Sequence, residues 1–307
     1  MKKRWAASVI GCGLLGLGLA AWLFREELAA WHRFVRRFER LEVNERGYLE
    51  YRHRSTGMVM VRIPGGEFVM GSPETEDGAW ANERPRHRVT LDAFLMAKHE
   101  VSQAIWRQVM GSEPSKFTGD ALPVEQVSWD DCREFCRRTG LALPSEARWE
   151  YACRGGTTTP FACGESLTSG QANFDGNFPY VPGAAPTEHT DDRSGGELRG
   201  TTVPVDSGGE LRGTTVPVDS FEPNGFGLHN MHGNVSEWCE DAYDEDFYGR
   251  PEATRPDPVC TVGSGNRVTR GGGWFDRARY CRSGSRAFND PARRSQTLGF
   301  RPVHDLR

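Results

Sequence analysis

The chain of 307 residues contains eight cysteines, a residue type that can form disulfides, bind metals or act as a nucleophile. One is Cys12, near the N-terminus, and the others are Cys132, Cys136, Cys153, Cys163, Cys239, Cys260 and Cys281. If this larger part of the chain is exported, its cysteines predict up to three disulfides and a free thiol, with the pairing left open. Cys132 and Cys136 share one face of a predicted helix, where a buried or disulfide-bonded role is favoured over a metal pair.

Two other groups of side chains could bind charged partners. His229 and His232 are three residues apart, but they lie in a predicted loop with no third ligand on a helix, so zinc is not favoured. The C-terminal segment is basic and could recognise an anionic ligand or a peptide through Arg282, Arg286, Arg293, Arg294 and Arg301. A solvated face with internal hydrogen bonds is the simpler interpretation of these arginines.

Short elements joined by many turns must position these side chains. The 36 glycines and 18 prolines are typical of a loop-rich domain. Helix-capping residues predict helices at Gln103–Met110, between Ser128 and Gly140, and at Glu146–Cys153. Apolar runs predict short strands at Met58–Ile63, Glu67–Met70, Arg88–Leu91 and Phe94–Lys98. No long periodic element follows Gly155.

The composition excludes several classes of protein. Charged residues make up 26% and hydrophobic residues 37% of the chain, which excludes a wholly disordered chain, a collagen and a multi-span membrane protein. The formal net charge of −4 gives no indication of nucleic-acid binding, so no nucleic-acid partner is expected.

The N-terminus predicts contact with a membrane. Lys2, Lys3 and Arg4 precede an uncharged stretch, Trp5–Phe24, that would span about 30 Å as a helix. Residues 1–25 are predicted to be a membrane anchor, with a cleaved signal peptide or a lipoprotein signal as alternatives. Arginines also follow the stretch, so the charges do not fix its orientation, and an extracytoplasmic (periplasmic) domain is expected.

Apolar residues spaced three and four apart predict an amphipathic stalk helix over residues 26–42, within a stalk and linker that extends to residue 56. The globular domain is predicted to span residues 57–307. Inside it, residues 194–206 and 207–219 have the same sequence at all 13 positions. Two such short copies cannot stack as a solenoid, so the repeat predicts a lengthened surface loop.

Seven sequence motifs in a fixed order resemble the formylglycine-generating enzyme family, also called sulfatase-modifying factors, over about residues 58–303. They are Ile63–Ser72, Glu100–Ser102 with Trp106, Pro123–Trp129, Leu143–Gly155, Asn224–Trp238, Arg267–Trp274 and Leu298–Arg301. The resemblance implies an irregular α+β domain with a variant of the C-type lectin fold. It also implies oxidation of a cysteine in a protein or peptide substrate, such as a sulfatase, to Cα-formylglycine, with molecular oxygen and copper(I) bound by two cysteines.

The motif that would carry copper is incomplete in this chain. Alignment from Gly271–Gly272 places the two copper positions at Asp276 and Cys281. Alignment back from Leu298–Arg301 places Cys281 three residues beyond the second position, so that neither cysteine is present. An aspartate is a poor ligand for copper(I), which prefers thiolates. Cys281 is therefore either a surviving catalytic thiol or, as the resemblance also implies, a structural cysteine bonded to Cys153.

The resemblance further implies calcium binding, through two sets of oxygen donors. The first set comprises Asn230 and Glu237 with the carbonyl groups of Gly233 and Val235, and the second includes Asn173 and the carbonyl group of Phe174. Two functions remain open. The domain is either an oxygen-dependent oxidoreductase of this family or a non-catalytic, C-type-lectin-like binding module for a peptide or glycan at the cell envelope.

Overall fold

The computed structural model describes residues 28–29, 31–183 and 212–306. The predicted membrane anchor and the first copy of the repeat lie outside these residues. Among the helices that the structure describes, none is long and apolar enough to cross a membrane.

Short strands form three sheets within the described residues. The five-stranded sheet has the order β1-β2-β3-β6-β11 and consists of β1 (Phe38–Val43), β2 (Leu49–His53), β3 (Val59–Ile63), β6 (Phe94–Ala97) and β11 (Val303–Asp305). The four-stranded sheet has the order β10-β7-β8-β9 and consists of β10 (Leu298–Gly299), β7 (Ser236–Ala242), β8 (Arg267–Arg270) and β9 (Ala287–Asn289). The third sheet pairs β4 (Gly66–Met70) with β5 (His87–Leu91).

Three helices begin and end where the capping residues predict. They are α1 (Gln103–Met110), α2 (Trp129–Thr139) and α3 (Glu146–Arg154). The side chains of Ser102, Ser128 and Ser145 each accept a backbone N–H in the first turn. Each helix is followed by a left-handed glycine, a conformation that costs glycine little. A mixed α+β fold with much irregular chain is therefore confirmed.

The predicted stalk helix is wrong after residue 37. Residues 31–37 are helical, but Phe38 begins strand β1, which pairs with β2 as part of the five-stranded sheet. Phe38 is buried against the ring of His304 on β11, with centroids 4.8 Å apart. Pairing within the sheet and burial of Phe38 thus override the helical spacing of the apolar residues.

The basic C-terminal segment has the predicted internal hydrogen bonds, but three of its five arginines lie in the interior and not on a solvated face. Arg282, Arg286 and Arg301 are buried, and each forms an ion pair with a buried glutamate. Arg293 and Arg294 are exposed, as predicted. Buried guanidinium groups require such partners because an unpaired charge in the interior is very unfavourable.

Candidate functional site

The loop that follows β8 would have to carry the copper ligands, and its glycines allow a close approach to Cys281. Gly271 and Gly272 have φ values of 90° and 67°, which favour glycine. A Cβ on Gly272 would lie 2.7 Å from Cys281 Sγ. The loop therefore covers Cys281 instead of opening a path to it.

Cys281 is a buried thiol with no exposed surface. Its Sγ lies 3.8 Å from the carbonyl oxygen of Arg277, at the distance of a weak S–H hydrogen bond. Burial raises the pKa of this thiol well above its usual value, and the nearby Asp276 raises it further. A protonated, covered thiol is neither a nucleophile nor a ready ligand for copper(I).

Asp276, at the other copper position, supports the loop. Its Oδ2 accepts a hydrogen bond from the backbone N–H of Gly273 at 2.8 Å. Its carbonyl oxygen accepts one from the backbone N–H of Asp175, also at 2.8 Å. The donor set at these positions therefore does not fit a two-thiolate copper centre.

The disulfides expected from the sequence are absent from the described part of the chain, where all seven cysteines are free thiols. Cys153 and Cys281 are both fully buried, and the Sγ of Cys153 lies 3.6 Å from Ser283 Oγ. The expected bond between these two cysteines is therefore wrong for this structure. Their sulfur atoms pack as small apolar groups, a common role for buried cysteine.

His232 has both ring nitrogens engaged. Nδ1 lies 2.7 Å from the carbonyl oxygen of Cys281, and Nε2 accepts a hydrogen bond from the N–H of Ala162 at 2.9 Å. Burial lowers the pKa of His232 to about 4, so the ring is neutral. Among the described residues, no group of three or more histidines, cysteines, aspartates or glutamates could hold a metal ion.

The structure places the two predicted calcium-binding sets side by side. Asn173 forms an isolated parallel bridge with Gly233, whose φ of 83° suits glycine. A Cβ on Gly233 would lie 2.3 Å from the carbonyl oxygen of Asn173, so the contact requires glycine. Phe174 and Val235, whose carbonyl groups are the other predicted ligands, follow the two bridge residues closely in the chain, and both are buried.

Two asparagine oxygens in this cluster lack a hydrogen-bond partner. Asn230 donates through Nδ2 to Glu100 Oε2 at 2.9 Å and to the carbonyl oxygen of Val218 at 3.1 Å, which leaves its Oδ1 unpaired. Asn173 donates through Nδ2 to Asn234 Oδ1 at 3.1 Å, and its Oδ1 is likewise buried and unpaired. Unpaired buried oxygens are costly unless another group binds them, and calcium prefers such hard donors.

Glu237, a predicted calcium ligand, has its carboxylate bound by other side chains of the protein. Both carboxylate oxygens accept hydrogen bonds from Arg301 Nε at 2.8 Å, and Oε2 also accepts one from Trp149 Nε1 at 2.7 Å. Its charge is therefore balanced within the protein. The donors that best fit calcium are the unpaired oxygens of Asn173 and Asn230, and Glu237 fits less well.

Glu100 is a member of this cluster that the sequence did not identify as a site residue. It is buried, and its two oxygens accept hydrogen bonds from the side-chain amides of Asn230 and Asn234. Burial raises the pKa of Glu100 to about 8, while Arg301 acts in the opposite direction. Glu100 belongs to one of the seven motifs, and this was the only signal that could have identified it.

Comparisons with known proteins agree with this architecture. A family model described as the sulfatase-modifying factor enzyme 1-like domain matches residues 45–306. The formylglycine-generating enzyme of Streptomyces coelicolor is 31% identical, over 80% of this chain and 88% of that protein. The enzyme of the same name from Bos taurus is 30% identical, over 90% of this chain and 81% of that protein. The solved structure of PvdO from Pseudomonas aeruginosa shares the fold, with a TM-score of 0.62 and 24% identity over 87% of this chain and 98% of that chain.

Proposed function

Because this chain belongs to the sulfatase-modifying factor family, we propose that it uses the family scaffold as a binding domain and not as a copper-dependent oxidase. The observation that carries this proposal is the environment of Cys281, a thiol with no exposed surface and a raised pKa. Formylglycine generation needs a reactive cysteine pair at this loop, but the first of the two positions is occupied by Asp276.

Formylglycine generation is the second candidate, and the 31% identity to the Streptomyces enzyme favours it. In that case the loop of residues 271–281 would have to open so that the thiol of Cys281 could reach copper and a cysteine-containing peptide. The two candidates therefore differ in the accessibility of a single side chain.

Titration of the reduced full-length protein with copper(I) distinguishes the two functions. We expect the amount of copper bound to be unchanged in Cys281→Ala, with the exposed Cys163→Ala as a matched control. A specific equivalent of copper lost only in Cys281→Ala, together with aldehyde formation on a cysteine-containing peptide, would instead support the oxidase.

We propose calcium as a structural ligand of the cluster around Asn173 and Asn230. When bound, calcium would supply positive charge to their unpaired side-chain oxygens and stiffen the loop around Gly233. The melting temperature should rise in calcium relative to EDTA, and the rise should be lost in Asn230→Ala. An equal rise in magnesium, or none in either cation, would contradict this assignment.

We also propose that residues 1–25 anchor the chain in a membrane and that the domain is extracytoplasmic, where it would bind a peptide or glycan. Cys163 is exposed and allows a test by labelling. A membrane-impermeant maleimide should label wild-type protein on intact spheroplasts but not Cys163→Ser. Labelling of Cys163 only after permeabilisation would place the domain in the cytoplasm.

A further inference from the structure

A groove with a volume of about 510 Å³ lies between the chain that follows β7, the loop that precedes β8, and strand β9. Its apolar part is a pair of stacked rings, Tyr243 and Phe288, with centroids 4.1 Å apart. Phe288 is 45% exposed and Val262, on the facing loop, is 73% exposed. The groove therefore offers an aromatic surface to a ligand. Exposed apolar rings of this kind are unfavourable in water and often mark a binding site.

Gly263 allows the facing loop to close one side of the groove. A Cβ at this position would lie 2.3 Å from the carbonyl oxygen of Tyr243, so a larger residue would push the loop away. The N–H of Ser264 donates to the same carbonyl oxygen at 2.9 Å. These contacts hold the loop and the ring pair in one arrangement before any ligand arrives.

The charges along the groove have mostly one sign. Asp244, Glu245 and Asp246 line one wall, and among the described lining residues Arg250 is the single cation. Arg250 is already paired with Asp244, at 2.6 Å. Glu245 and Asp246 are exposed, so the groove presents an excess of negative charge beside an exposed ring. This combination is complementary to a cationic side chain, which gains from both the ring face and the carboxylates.

Strand β9 adds a backbone element to the same groove. In the part of the chain that the structure describes, it is the last strand of the four-stranded sheet in the order β10-β7-β8-β9, and Phe288 is its central residue. An edge strand can pair with an extended peptide, whose alternate side chains then face the same side. A peptide on this edge could place a side chain over Phe288.

We propose that this groove binds an extended basic peptide segment, with an arginine or lysine side chain over Phe288 and close to Glu245 and Asp246. The proposal rests on the binding role proposed above and gives it a partner class. A neutral glycan could also stack on Phe288, but it would leave the charge of the two carboxylates unmatched.

The test measures binding of a fluorescent hexapeptide of alternating arginine and threonine to the full-length protein by fluorescence anisotropy. We expect it to bind at least about ten-fold more tightly than the peptide with glutamate in place of arginine, and to weaken with added salt. Equal binding of the two peptides, or binding of the basic peptide that salt does not affect, would overturn the proposal.

Matched variants locate the site. Glu245→Gln with Asp246→Asn should weaken binding of the basic peptide by at least about five-fold, because two carboxylates lose their charge. Glu74→Gln with Asp130→Asn changes the net charge equally at exposed positions outside the groove and should leave binding unchanged. Equal losses in both double variants would show attraction by net charge alone and overturn the assigned site.

The ring is tested separately from the charges. Phe288→Leu keeps an apolar cover on Tyr243 but removes the aromatic face, so binding of the basic peptide should weaken while the melting temperature stays close to that of the wild type. Unchanged binding would overturn the role of the ring. The copper(I) titration is independent of these measurements. If the basic peptide does not bind and Cys281 binds no copper, only the proposed peptide partner is contradicted. If Cys281 binds copper, the proposed binding role of the domain is itself contradicted.

Discussion

Glu237 and Arg301 form a buried ion pair, and this pair shows how single residues support the candidate site. Arg301 also donates through Nη2 to the carbonyl oxygen of His229 at 2.8 Å, beside Asn230. The pair therefore links the last motif of the chain to the loop of the asparagine cluster. Glu237 is 1% exposed and Arg301 is fully buried, so water cannot replace a lost partner.

Substitution of one member of the pair should be much more damaging than substitution of both. We expect Arg301→Met to lower the free energy of unfolding by about 3–5 kcal/mol, because it leaves the Glu237 carboxylate buried without its cation. Glu237→Gln combined with Arg301→Met should recover part of this loss. Chemical denaturation of Arg301→Met, Glu237→Gln and the double variant measures the coupling, and additive losses would contradict a direct pair.

The residue scale also shows what the sequence could predict of the candidate site. The family resemblance of the motif Asn224–Trp238 implied the loop that holds Asn230, Gly233 and Glu237, because such a motif is a continuous stretch of chain. The ion pair of Glu237 with Arg301 and the contact of Glu100 with Asn230 join residues 64 and 130 positions apart. Such contacts depend on the tertiary fold, and no local pattern encodes them.

At the scale of elements, the N-terminal hairpin of β1 and β2 is fastened to the C-terminus of helix α2. Arg37 donates to the carbonyl oxygen of Gly140 at 2.8 Å. His53, at the end of β2, is buried beside Arg37 and His304, with its Nδ1 2.8 Å from Thr56 Oγ1. Burial, and then the charge of Arg37, lower the pKa of His53 from 6.5 to about 4.

This histidine should make the fold sensitive to acid. Between pH 6.5 and 4 the unfolded chain binds a proton at His53 and the folded chain does not, so stability falls as the pH falls. We expect this residue to account for a loss of roughly 1–2 kcal/mol over that range, after allowance for solvent screening. Urea unfolding of His53→Gln should show a weaker pH dependence than the wild type. The exposed His32→Gln is the control, and an equal change in both variants would contradict the assignment.

The second copy of the repeat contributes a short segment to the asparagine cluster. The N–H of Val216 donates to Asn234 Oδ1 at 2.9 Å, and the N–H of Val218 donates to the carbonyl oxygen of Ala121, also at 2.9 Å. The repeated sequence predicts only a surface loop, because a pattern of short repeats does not reveal such contacts.

Removal of one copy should preserve this segment. Deletion of residues 194–206 and deletion of residues 207–219 give the same chain, in which the remaining copy still precedes Ser220. The free energy of unfolding should change by less than about 0.5 kcal/mol, because loop length has only a small effect. Val216→Pro in the shortened chain removes the N–H that Asn234 accepts and should lower stability by about 1–3 kcal/mol. A large loss on deletion alone would show that the extra residues make contacts of their own.

At the scale of the whole molecule, the order of the seven motifs was enough to predict the family and the α+β class. The motifs contain the glycines and helix caps that fix turns, and these act over a few residues. The interior charge network was not predictable in the same way. Arg282 pairs with Glu83 across 199 positions and Arg286 pairs with Glu146 across 140, so a basic stretch of sequence became part of a neutralised core.

The five-stranded sheet places the start of the domain earlier than the predicted residue 57, because β1 and β2 are part of that sheet. Truncation at Gly57 would remove β1 and β2, uncover the edge of β3 and remove Phe38, whose burial alone contributes about 1.5–3 kcal/mol. A chain that starts at Gly57 should therefore be at least about 3 kcal/mol less stable than one that starts at Leu28. Denaturation midpoints of the two chains measure this difference. Equal midpoints would mean that the hairpin adds nothing to the core and that the domain begins at Gly57.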